Sequence, residues 1–170
     1  MEAFIHGPTG AVHTIFASAA LLLGAFVLFK PKGTKQHRIY GYLYVVSMLL
    51  LNITAIPITN MTGSIGFFHV FIVISLPTIL MAMYYPLFAR TTKNWMIKHF
   101  SYMYWSYVGL IAAFIAEVMV RLPLLMGQSS PSFEQPGSAT ASIFTATVIM
   151  LFVMAVAEYL FRKYRRQLFH

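Results

Sequence analysis

Five apolar runs, each long enough to cross a bilayer, constrain this chain more than any other feature. A hydrocarbon core of roughly 30 Å takes about 20 helical residues. The runs cover about Pro8–Phe29, Lys35–Ile56, Ile65–Phe88, Trp95–Leu122 and Ala139–Phe161. In lipid every backbone N–H and C=O must find a partner inside the protein, and these runs are too long for barrel strands. Each is therefore expected to be a helix. Pro8 suits a first helical turn, Thr34 is placed to cap the second helix, and Pro57 and Pro123 are expected to end the second and fourth. Composition agrees, because 59% of the residues are hydrophobic and 9% charged, with a mean hydropathy of +0.72. A water-soluble surface needs more charge than that. The expected fold class is all-α, one transmembrane five-helix bundle over residues 1–170.

The charges report topology. Lys30, Lys32, Lys35 and Arg38 surround the first connection, and Arg90, Lys93 and Lys98 the third. Arg162, Lys163, Arg165 and Arg166 form the tail. The other two connections and the N-terminus hold almost no cations. By the positive-inside rule the N-terminus is outside and the C-terminus cytoplasmic, as in a multi-pass protein of a bacterial inner membrane. The net charge of +8 follows from these loops and does not imply nucleic acid; the constant partner is the lipid bilayer. The N-terminus carries no basic n-region and no convincing cleavage site, so the first helix is expected to be retained. The chain has no cysteine, which excludes disulfides, thiolate metal sites and covalently attached c-type haem.

The first four helices carry one histidine each at matched depths. His13 and His69 lie toward the outer side in helices one and three. His37 and His99 lie near the cytoplasmic starts of helices two and four. His6, seven residues before His13, joins the outer set if the helix extends that far. Helical phase places His99, Ser106 and Glu117 on one face of helix four, with Arg121 a turn beyond Glu117. Polar groups in a membrane helix point into the bundle. His13, Ala17, Ala20 and Gly24 share a face of helix one, and His37, Gly41, Tyr44, Met48 and Ala55 a face of helix two.

Each feature also has a plain structural explanation. Single histidines near the lipid boundary are commonly interfacial or packing residues, and stripes of small residues usually mean helix packing. Glu117 and Arg121, four apart, form an ion pair within one helix in the simplest case. Met48 and Met103 read as core filler, and the basic tail as an anchor on anionic lipid.

The segments "GTKQHRIYGYLYV", "GSIGFFHVFIVISL" and "WMIKHFSYMYWSYVGLIAAFIAEVMVRLP" together resemble a family of small bacterial membrane proteins of uncharacterised function. The resemblance runs from the first helix to Arg121. It marks His37, Arg38, Gly41, His69, Trp95, His99, Tyr102, Glu117 and Arg121 as motif positions and carries no activity with it. In topology and spacing alone, the histidine layout resembles two-haem transmembrane b-type cytochromes. That likeness implies haem b held by His13 with His69 and by His37 with His99, and electron transfer across the membrane from a redox partner, quinone or small reductant. Two alternatives come from other classes. His13, His69 and Glu117, with His6 nearby, make an open zinc ligand set in which Glu117 is a general base. An accessory subunit without chemistry would instead use its histidines and Arg38 on lipid headgroups. No phosphate loop, nucleophile elbow or carboxylate pair points to a soluble-enzyme mechanism.

Overall fold

A computed structural model describes residues 7–58, 69–125 and 136–169. Among them all regular structure is helical: α1 (Gly7–Phe29), α2 (Lys35–Ala55), α3 (His69–Phe88), α4 (Trp95–Leu125) and α5 (Pro136–Phe169). All five are long and apolar enough to span a membrane. Their exposed faces carry large apolar side chains, such as Ile15, Val73 and Phe152. In water this would be a liability; in a bilayer it is the surface lipid covers.

Local signals explain the helix ends. Thr34 has extended backbone (φ −72, ψ 163) and its Oγ1 accepts the His37 N–H at 3.1 Å, so the expected N-cap forms. Gly33 takes the left-handed φ of +79 that the α1–α2 turn requires. Lys32 Nζ donates to the Val27 and Leu28 carbonyls at 2.9 and 2.6 Å, closing the C-terminus of α1.

Several expected boundaries need correction. Helix α4 does not stop before Pro123 but runs to Leu125. A proline φ is already helical, and the helix continues past Pro123 at the loss of one bond to the Met119 carbonyl, as α3 does past Pro86. Helix α5 begins at Pro136, a favourable first-turn position, and continues to Phe169 instead of ending near Phe161. Arginine, lysine and glutamine are good helix formers, so the helix outlasts its apolar span. Helix α2 ends at Ala55, one residue early, with Ile56 as its cap. The expected start of α3, residues 65–68, lies outside the described residues.

The chain divides into two compact units, Met1–Tyr107 and Val108–His170. In the first, α1 packs along α2 and α2 against α3. Its centre is Ala20, Tyr44, Met48, Ile79 and Ala82, each at most 1% exposed. The buried polar groups there are bonded in pairs. Ser106 Oγ donates to the Met103 carbonyl at 2.9 Å, so the Tyr44 hydroxyl donates to Ser106 Oγ, also at 2.9 Å. Asn52 Nδ2 bonds the Met48 carbonyl and Ser75 Oγ at 2.7 and 3.1 Å. Met48 and Met103 are core residues, as expected. In the second unit Ala112, Ala116, Ala146, Ala157 and Phe161 are buried. The expected Glu117–Arg121 ion pair forms there, with side chains 36% and 12% exposed.

Candidate functional site

The geometry around His99 begins with a proline. Pro86 lies inside α3 and has no N–H, so the carbonyl four residues earlier, Ala82, loses its helical donor. His99 Nδ1 on α4 meets that carbonyl at 2.7 Å. A carbonyl only accepts, so Nδ1 carries the proton and Nε2 holds the lone pair. The imidazole is thereby fixed in tautomer and orientation.

His99 and His37 line one cavity of about 80 Å³ in the first unit, at its cation-rich end. Val27, Met83, Pro86 and Met103 give it apolar walls, and Arg38 and Arg90 line it with charge. Gly41, one turn after His37, also faces it, and a Cβ there would touch nothing. His37 Nδ1 is buried without a hydrogen-bond partner. The Val27 carbonyl, which accepts from Lys32 and has a second lone pair, lies within reach of the His37 ring. The Lys32 charge acts on both His37 and His99. Burial pushes the Lys32 amine below the ordinary lysine value. Arg90 Nε is tied to the Pro86 carbonyl at 2.5 Å. Next to this group, Tyr85 stacks on Tyr102 at 5.9 Å and carries the Lys98 ammonium over its ring at 5.1 Å. Such a cluster of aromatics and cations suits the level of lipid headgroups.

The other two described histidines reach the opposite end of α2. His13 Nδ1 lies 3.3 Å from Thr54 Oγ1. Thr54 donates its own proton to the Leu50 carbonyl at 2.7 Å, so His13 is the donor in that pair. His69 Nε2 donates to the Ile56 carbonyl at 3.2 Å, one of the carbonyls a helix end leaves open. His6 lies outside the described residues. Glu117 stands in the second unit, joined to Arg121. Among the described residues no three His, Asp or Glu side chains gather into a metal-binding group.

Sequence reasoning brought His37, Arg38, Gly41 and His99 to attention but not their company. In the sequence Arg90 and Lys32 read only as topology signals, and Met83 and Pro86 carry no functional signal. The one usable signal was the spacing of Pro86 and Arg90 inside and just beyond α3, which marks freed carbonyls without naming their partners.

Residues 10–161 match the family described as Predicted membrane protein (DUF2306). The chain belongs to that family. Its function is unknown, and the match spans all three segments on which the sequence resemblance rests. No curated protein and no solved structure matches the chain significantly.

Proposed function

We propose that this member of the family is a b-type haem protein of the bacterial inner membrane, with His37 and His99 as the residues that would hold its iron. It would accept electrons at its cation-rich, cytoplasmic end from a small reductant, a quinone or a redox protein. The observation that carries this reading is that imidazoles from α2 and α4 share one cavity, His99 with Nδ1–H donated to Ala82. A histidine whose far nitrogen is anchored on a carbonyl is the arrangement that metal-ligating imidazoles usually adopt. The unpartnered His37 Nδ1 and the open face over Gly41 support it further. The reading is confined to this pair, because Nε2 of His69 is engaged with Ile56.

Size sets a condition. The cavity holds about 80 Å³, against the roughly 300–1,000 Å³ of sites for ligands of drug size and above. A macrocycle therefore enters only if α2 and α4 draw apart. When bound, haem would supply one-electron chemistry, while the chain supplies ligands, orientation and a low dielectric.

The test is the visible spectrum of protein purified in detergent after expression with added haem precursor. Reduced protein should show sharp b-type bands. His37→Ala and His99→Ala should each remove them, and the double variant should lose no more, because both serve one iron. His13→Ala should leave them in place. A colourless wild type, or bands that survive both single substitutions, overturns the proposal.

A further inference from the structure

Between Glu2 and Glu117 the sequence holds seven lysines and arginines and not one acid. The imbalance is concentrated at the cavity already described. Arg38 and Arg90 line it, and Lys32 acts on both of its histidines. Arg90 uses Nε on the Pro86 carbonyl, which holds the guanidinium in place while its other four N–H groups remain for a ligand. Lys32 likewise has two N–H groups on backbone carbonyls and one remaining. The N-terminus of α2, which carries His37 and Arg38, adds the positive end of a 21-residue helix. Like charges brought together repel one another, and the intervening sequence offers no carboxylate to offset them. An anion from outside the chain removes that repulsion.

Volume narrows the choice of anion. About 80 Å³ is the share of roughly two or three waters in the liquid. That room accommodates a single tetrahedral oxyanion, and arginine forks match phosphate oxygens bidentately. We infer that Arg38, Arg90 and Lys32 form a phosphate-binding site at the mouth of the His37–His99 cavity. The phosphate is either a lipid headgroup or a soluble phosphate. The inference does not rest on the haem reading, since it uses the cations and not the imidazole lone pairs.

The experiment uses full-length, haem-free protein in phosphatidylcholine nanodiscs. One arm titrates inorganic phosphate and reads thermal stability. The other replaces part of the lipid with phosphatidic acid and reads lipid retained through native mass spectrometry. Stabilisation by inorganic phosphate identifies a soluble source, and selective retention of phosphatidic acid alone a headgroup; both support the site. Arg38→Gln with Arg90→Gln should weaken the response by about tenfold or more, since charge-assisted bonds are lost. The control, Arg162→Gln with Lys163→Gln, removes the same charge from the tail and should leave it intact. If the double cavity variant denatures, Arg90→Lys alone is read instead; loss of the fork should still weaken phosphate binding. Binding that survives the cavity substitutions, an equal loss in the tail variant, or no binding in either arm overturns the inference.

Discussion

Gly24→Ala tests the close approach of α1 to Tyr44 of α2 and Tyr107 of α4. A Cβ built on Gly24 would lie 2.5 Å from Cε2 of Tyr107, closer still to its Cδ2, and 3.0 Å from Cε2 of Tyr44. Carbon atoms prefer separations near 3.5 Å or more, so the Tyr107 ring would have to retreat by roughly 1 Å. It is not free to do so. Its hydroxyl donates to the Leu21 carbonyl at 3.0 Å, and its edge meets Tyr44 with ring centroids 6.3 Å apart. Tyr44 is itself 1% exposed and tied to Ser106. Overpacking of this kind costs about 1–3 kcal/mol, and a weakened hydrogen bond adds about 1 kcal/mol. Against this stands a gain of about 1 kcal/mol from alanine's helix propensity. The net expectation is a loss of about 1–3 kcal/mol. Unfolding in mixed micelles by added SDS, followed by the fluorescence of Trp95 and Trp105, measures it. Tyr107→Ala removes the obstructing ring, so Gly24→Ala should be close to neutral in that background. A Gly24→Ala protein as stable as wild type, or equal losses in both backgrounds, would refute the steric argument.

Two further outcomes follow from other contacts. Pro86→Ala restores an N–H that competes for the Ala82 carbonyl; the Nδ1–H population of His99 should fall, as read by imidazole nitrogen NMR, while the stability of α3 rises. An unchanged tautomer would show that Pro86 does not position His99. For the Glu117–Arg121 pair, replacing both residues by Gln should cost about 1 kcal/mol or less. Glu117→Gln alone should cost more, because it removes one negative charge from beside the less exposed guanidinium while the guanidinium stays charged. The reverse order in SDS-titrated unfolding would sink that assignment.

How much of this was legible in the sequence depends on the range of the interaction. The five spans, the Thr34 cap and the Glu117–Arg121 pair are set by residues within a few positions of one another, or by hydrophobicity summed along a run. They read directly. The end of α4 does not read from sequence because Pro123, like Pro86 in α3, sits inside its helix two residues before the end instead of stopping it. Burial was only partly legible. Helical phase put Tyr44, Met48 and Ser106 inward, where they are, but gave no sign that Asn52 would bond Ser75 on another helix. Pairing between helices depends on rotation and depth together, and one sequence fixes neither to within a hydrogen bond.

The histidines show why that matters for function. By depth along their helices they fall into two pairs, which makes them look equivalent. Bonding separates them. His69 caps the end of α2 through Nε2, the nitrogen that would otherwise serve a metal, and so has a sufficient structural reason to be there. His13 donates to a threonine whose own proton is engaged elsewhere. His99 also has a structural partner, but it uses Nδ1, and the carbonyl it meets is open only because Pro86 lacks an N–H. That leaves the lone pair on Nε2, in a residue that lines a cavity shared with His37 and two arginines. Pro86, two residues before the end of α3, costs that helix its bond to the Ala82 carbonyl. Here the defect's consequence is to hold one imidazole ring in a fixed pose beside a second. An interfacial histidine needs neither, since headgroups and water would satisfy it in any rotamer. The combination of Pro86, Ala82 and His99, more than the count of histidines, is what the proposed haem site rests on.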